Sequence, residues 1–170
     1  MRISDYANPR QVILVSSRDK DQDNIITLAW HMPLSFEPMM YAIALGTTRY
    51  SYKMIKDSGV FVVNFMSLEY KDQVLECGSV SGHEHDKFAE FGLTKEEADK
   101  ISCPVIGEAS SYLECKIKEE VIMGDHAIFM ADVLKAEKKD DKDRIFQISG
   151  EMFGTIVKPD LTEEDDDDSN

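Results

Sequence analysis

The stretch Tyr112-Leu113-Glu114-Cys115-Lys116-Ile117-Lys118-Glu119-Glu120-Val121-Ile122 runs through Met123-Gly124-Asp125 into His126-Ala127-Ile128-Phe129-Met130-Ala131-Asp132-Val133-Leu134-Lys135-Ala136-Glu137. Over 113–121 the side chains alternate, with Leu113, Cys115 and Ile117 one way and Glu114, Lys116 and Lys118 the other. A period of two is a strand period, because successive side chains of an extended chain point to opposite faces. The pattern predicts a strand over 112–122 with one wet face. Gly124 between two such runs reads as a hairpin turn, so 126–137 is the antiparallel partner.

Further strands are predicted over 11–17, after the turn signal Asn8-Pro9, and over 24–31, 39–46, 60–65 and 145–148. Residues 39–46 are almost continuously apolar and should be covered on both faces. Pro33 and Pro38 bracket a loop. Residues 52–58 read as a short helix stopped by Gly59. Ser67 is placed to cap a helix over 68–77, with Leu68, Val74 and Leu75 on one side. Gly78-Ser79-Val80-Ser81-Gly82 breaks that helix. Residues 83–102 read as loop with a helical turn over Lys95 to Lys100, ended by Cys103-Pro104. Six or seven strands against two or three short helices, without regular β-α alternation, predict a mainly antiparallel barrel with helical insertions. No G-x-G-x-x-G or Walker loop indicates a dinucleotide fold.

At 170 residues the chain fits one domain, assigned to 1–158, with an acidic tail over 159–170. The net charge of −14, from 33 acidic against 19 basic residues, argues against nucleic acid or an anionic membrane as partner. A local basic pocket stays compatible with it. Three cysteines, Cys77, Cys103 and Cys115, without C-x-x-C spacing predict neither a disulfide framework nor a zinc knuckle. The N-terminus shows no apolar signal region and no run is long enough to span a bilayer, so a cytoplasmic location is expected.

Four segments could carry chemistry. Asn24-Ile25-Ile26-Thr27-Leu28-Ala29-Trp30 places an amide, a hydroxyl, strand backbone and the chain's single Trp within seven residues. That suits the edge of a flat, polar-rimmed heterocycle; it also suits a half-buried strand with its aromatic in the core. Thr47-Thr48-Arg49-Tyr50-Ser51, at a strand end and helix start, offers hydroxyls, a guanidinium and free helix amides, either as a phosphate cradle or as an ordinary capped helix. Ser81-Gly82-His83-Glu84-His85-Asp86-Lys87-Phe88 offers a close-approach glycine and a lysine suited to phosphate. The His83-x-His85 pair without a third clear ligand defines no metal site, and a solvated loop explains it as well. His126, after the Gly124-Asp125 turn, can point into a pocket or out to solvent.

Taken in order, these segments resemble the flavin reductase-like, FMN-binding split-barrel family, and within it the flavoredoxin-type branch. The residues that carry the resemblance are Asn8-Pro9, Asn24-x-x-Thr27-x-Ala29-Trp30, Pro38, Arg49-x-Ser51, Gly59-x-Phe61-x-x-Asn64, Ser81-Gly82-x-x-x-Asp86-Lys87-Phe88, Gly92-Leu93, Pro104-x-Ile106, Leu113-Glu114-Cys115 and Gly124-Asp125-His126. The match covers about residues 5–157. It implies a six-stranded Greek-key split barrel that works as a homodimer and binds FMN, less often FAD, non-covalently near the dimer interface. It implies flavin contacts from Asn24, Trp30 and Lys87. The backbone of Ile26, Thr27, Leu28, Ala29 and Trp30 would follow the isoalloxazine edge. Thr48, Arg49, Tyr50 and Ser51 would lie on the ribityl-phosphate side, with Ser81, Gly82 and Phe88 completing the site. His126 would stand near the nicotinamide of an NAD(P)H donor, as the one candidate catalytic residue. The implied activity is electron transfer through bound FMN from NAD(P)H or a redox protein; the alternative is a flavin-binding electron carrier without reductase activity. The sequence Leu28-Ala29-Trp30-His31, where many reductases carry a Ser/Thr-rich strand, favours FMN held as a prosthetic group.

Overall fold

The computed structural model describes residues 3–157. After a one-turn helix α1 (Ser4–Ala7) come strands β1 (Arg10–Gln11), β2 (Ile13–Asp19), β3 (Gln22–Leu28), β4 (His31–Phe36) and β5 (Met39–Gly46). Helix α2 (Tyr50–Ser58) leads to β6 (Val60–Phe65); a 3-10 turn at Leu68–Tyr70 continues into α3 (Lys71–Ser79), and α4 (Lys87–Glu90) is a single turn. The remaining strands are β7 (Lys95–Glu97), β8 (Pro104–Ile106), β9 (Ser111–Met123), β10 (His126–Lys138), β11 (Phe146–Ser149) and β12 (Met152–Gly154).

The principal sheet has seven strands in the order β3-β2-β6-β9-β10-β5-β4, every neighbouring pair antiparallel. Its two outermost strands, β3 and β4, are consecutive in the chain, with only Ala29-Trp30 between them. The sheet must therefore curl until its edges meet. The Trp30 carbonyl marks the junction by accepting from Ala44 N of β5 at 2.9 Å. The barrel's split lies there, between β3 and β5.

The continuous apolar run of β2 follows from this curl. Ile13 and Val15 point into the barrel cluster with Ile43, Phe61, Val63 and Phe129. Val12 and Leu14 point outward, into a second layer with Val74, Cys77, Phe88 and Ile106 under the helical insertions. Each such buried side chain contributes roughly 1.5–3 kcal/mol.

The hairpin read from Gly124 is present: β9 and β10 pair from His126↔Met123 to Lys138↔Ser111, and Gly124 has φ 63°. Several expectations are corrected. The barrel sheet has seven strands rather than six. The segment after Pro33 is not a loop but the edge strand β4, pairing Pro33 with Tyr41; an edge tolerates a residue without an N–H. The strand expected over 24–31 ends at Leu28, where the chain crosses the split. Ser67 makes no cap, its hydroxyl going to the Glu69 carboxylate at 3.1 Å. Residues 95–97 are not helical: they pair with 104–106, because Ser16 Oγ donating to Pro104 O at 2.5 Å and Asn64 Oδ1 accepting from Ile106 N at 3.0 Å fix β8 on the barrel as a template. The far face of β9 is not wet throughout. Glu114 is fully buried and accepts from the amides of Asp99 and Lys100 at 3.0 and 2.6 Å, the 99–100 loop folding over it. The acidic tail lies outside the described residues.

Candidate functional site

A cleft of about 550 Å³ opens at the split. One wall is β3 and its continuation, Ile26 to Trp30; the opposite wall is the end of β5, Ala44 to Gly46, and the start of α2, Thr48 to Ser51. The floor is the segment Cys77 to Gly82 with Lys87, and His126 closes one end. Of the residues singled out from the sequence, Ile26, Thr27, Leu28, Ala29, Trp30, Thr48, Arg49, Tyr50, Ser51, Ser81, Gly82, Lys87 and His126 come together here. Asn24 and Phe88 are not on the cleft wall. Phe88 packs in the outer core layer. Asn24, within β3, is buried; its Nδ2 donates to Ser51 Oγ at 2.7 Å and its Oδ1 has no partner.

At one end α2 presents its N-terminus. Arg49 is the N-cap residue, in extended conformation and without a side-chain cap. Tyr52 N donates back to Arg49 O at 3.0 Å, leaving the amides of Tyr50 and Ser51 without acceptors inside the helix. The Arg49 side chain is exposed and makes no ion pair with any described residue. In a chain of charge −14 a free guanidinium beside open helix amides is a local anion trap.

Lys87 is only 3% exposed. Its Nζ donates to Ile25 O at 2.7 Å and to Cys77 O at 2.6 Å, tying the C-terminal end of α3 to β3. An ammonium has three protons, so one is left for the cleft. Burial is the first cause that lowers its pKa; the charge of Arg49 works the same way and Cys77 opposes it. A bound anion would relieve that penalty.

At the other end the half-buried Trp30 stacks on His126, ring centroids 4.6 Å apart and 28° from parallel. His126 Nδ1 lies 2.7 Å from Asp125 Oδ1. The Thr27 hydroxyl is engaged, donating to Val74 O at 2.6 Å, which leaves the β3 backbone as the polar edge on that wall. Burial pushes the Cys77 thiol up to about 12, so it stays a neutral floor residue.

Sequence reading found Ser81, Gly82 and Lys87 of the floor but missed Cys77, Gly78, Ser79 and Val80, which read only as a helix end and a helix breaker; the small residues of 78–82 let the chain lie against β3. A Cβ on Gly82 would stand 1.9 Å from Asn24 Oδ1, and one on Gly78 would stand 3.2 Å from Thr27. His83 and His85 form no cluster: His83 meets the Tyr50 ring edge-on, and His85 Nδ1 lies 2.8 Å from Glu90.

Residues 6–152 match the flavin reductase like domain. The chain belongs to this family. An uncharacterized protein of Archaeoglobus fulgidus is 35% identical over 130 residues, which are 76% of this chain and 73% of that one. The flavoredoxin of Desulfovibrio vulgaris shares the fold at TM-score 0.81 and 23% identity, covering 89% of each chain. An NADH:FAD oxidoreductase of Streptomyces globisporus does so at TM-score 0.80 and 19% identity, covering 89% of this chain and 88% of that one. No helix among the described residues is long and apolar enough to cross a membrane.

Proposed function

We propose that this flavin reductase-like protein binds FMN non-covalently in the cleft and passes electrons through it, as a homodimer. The observation that carries the reading is the polarity of the cleft. A free guanidinium and an open helix N-terminus lie at one end, the Trp30–His126 aromatic pair at the other, and strand backbone between them. A phosphate dianion on an acidic chain needs the first; a flat heterocycle with a polar rim needs the other two. Arg49 and the Tyr50 and Ser51 amides would hold the phosphate, with the third Lys87 proton facing the ligand. The backbone of 26–30 would meet the ring's polar edge, Trp30 would cover it, and His126 would stand where a hydride donor approaches. Bound there, the flavin supplies the redox chemistry, and the chain's part is to orient it and exclude water.

A second copy is favoured by the outer face of β4, β5 and β10. Register puts Ala42 between Met32 and Met130, and Ala44 beside Ile128. These flank an apolar groove of about 260 Å³ whose wall includes Trp30. Met32, 54% exposed, and Ile3, 62% exposed, line it. A partner docked there would lie against the ring end of the cleft.

The deciding experiment is the absorption spectrum of the purified protein with FMN, before and after anaerobic NADH or NADPH. A flavin band that bleaches supports the oxidoreductase reading; protein that takes up no FMN sinks it. The fold is shared with both a flavoredoxin and an NADH:FAD oxidoreductase. Steady-state NAD(P)H consumption with added FMN therefore separates reductase from electron carrier, since a carrier shows none.

A further inference from the structure

We infer that a side-chain bridge across the phosphate end of the cleft, Tyr50–Gln22–Gly82, limits the length of the ligand and makes the site select a flavin mononucleotide over a flavin dinucleotide. The inference rests on the flavin reading above and adds the residues that set its specificity.

Side-chain contacts bound the cleft at both ends. The stacked Trp30 and His126 rings stand at one. At the other, Tyr50 on α2 donates its hydroxyl to Gln22 Oε1 at 2.6 Å, and Gln22 Nε2 donates to Gly82 O at 3.1 Å. Gln22 thus joins the α2 wall to the floor segment. His83 backs the bridge, its ring 5.5 Å from that of Tyr50 at 87°. From the bridge at Gln22 to its last residue, Leu28, β3 advances about 20 Å, at roughly 3.3 Å per residue. A mononucleotide ends at the phosphate, beside Arg49 and the helix amides. A dinucleotide continues through a second phosphate to an adenosine, and that chain must pass the bridge.

The space beyond is also unfavourable. A second cavity of about 490 Å³ adjoins the cleft at Gly82. Asp21, Asp23, Glu84 and Asp86 line it. Its cation Lys95 is already paired with Asp23 at 3.0 Å, and His85 faces Glu90. Beside these carboxylates only the His83 ring is without an ion pair among the lining residues, so a second phosphate there would meet mostly negative charge, and steric closure and charge act in the same direction.

The test is titration of the flavin-stripped full chain with FMN and with FAD, read by flavin fluorescence, in the wild type, Gln22→Ala, Tyr50→Phe and Glu84→Gln. The wild type is expected to bind FMN at least about tenfold more tightly than FAD, and Gln22→Ala to narrow that ratio by about tenfold, the scale of one or two lost hydrogen bonds. The narrowing should come from tighter FAD, with FMN affinity nearly constant. Tyr50→Phe keeps the ring and should give a smaller change in the same direction. Glu84→Gln, which leaves the bridge intact, should strengthen FAD alone. Equal wild-type affinities, or an unchanged ratio in Gln22→Ala and Tyr50→Phe, overturn the inference while leaving flavin binding intact. Absence of binding by either flavin removes the flavin reading itself, and the inference with it.

Discussion

Arg49 and Lys87 look alike in the sequence, as two cations available to phosphate, but the fold gives them different duties. Arg49 is exposed and unpaired among the described residues, so its only evident work is on a ligand. Arg49→Ala is expected to weaken FMN binding by roughly 1.5–3 kcal/mol, the scale of a charge-assisted hydrogen bond, without moving the melting temperature. Lys87→Ala should weaken FMN and also destabilise the flavin-free protein, because Ile25 O and Cys77 O lose their donor, at about 1–3 kcal/mol for each buried orphan. Calorimetric titration together with thermal melts of both variants checks this; equal melting temperatures would show that Lys87 is no staple. His31 is a second buried polar residue with a measurable consequence. Its Nε2 faces Gln11 O at 3.0 Å and therefore carries the proton, while Nδ1 accepts from the Tyr41 hydroxyl at 2.6 Å. Burial, with the charge of Arg10 adding to it against the Gln11 bond, holds its pKa below the ordinary value of about 6.5. Unfolded chains gain a proton there as pH falls through about 6.5 while the folded one does not, so this stability is complete above that pH and drains away below it. Urea midpoints should fall between about pH 7.5 and about pH 5.5. His31→Gln should flatten that slope; an unchanged slope would assign it to other groups.

The floor segment and the strands around it show how far local pattern reaches. Gly82 is required by space rather than by backbone conformation, since its missing Cβ is what lets the floor close on Asn24. Gly82→Ala should destabilise the protein by about 1–3 kcal/mol, as an overpacked site does. It should also loosen the Asn24–Ser51 bond that holds the start of α2 against β3. A variant that melts like the wild type would refute the close approach. The β9–β10 hairpin was legible because alternation and a turn glycine are local signals. Strand β4 was hidden by Pro33, whose missing N–H matters only if both sides of the strand are paired. Residues 95–100 carry a helical composition, Lys-Glu-Glu-Ala-Asp-Lys, yet 95–97 become a strand because β8 is held in place by Ser16 and Asn64, far off in the chain. Glu114 read as solvated for the same reason: nothing nearby announces that residues 99–100 fold over it.

For the whole molecule, curling the sheet until β3 meets β5 creates the split, and the split is the site. A second copy on the β4–β5–β10 face would bury Met32, which is 54% exposed in one chain. Sedimentation is expected to give a dimer, and Met32→Lys to shift it toward monomer; a monomeric wild type would end the dimer proposal. Among the described residues, the cleft and its bridge draw on residues between Gln22 and His126. A chain ending at Val157 should therefore keep its flavin affinity, as equilibrium titration of the shortened protein would show.

The sequence by itself determined the antiparallel β class, the hairpin at Gly124, the helix stop at Gly59 and the set of residue types able to meet a phosphate and a flat ring. These are carried by periodicity, turn chemistry and charge, all readable within a dozen residues. Only the tertiary structure decided that Lys87 spends two protons on backbone carbonyls, that Asn24 reaches Ser51 instead of the cleft wall, and that Gln22 bridges Tyr50 to Gly82. Each of these contacts joins residues from 10 to 62 positions apart, and they exist only because the curled sheet brings those segments to one opening.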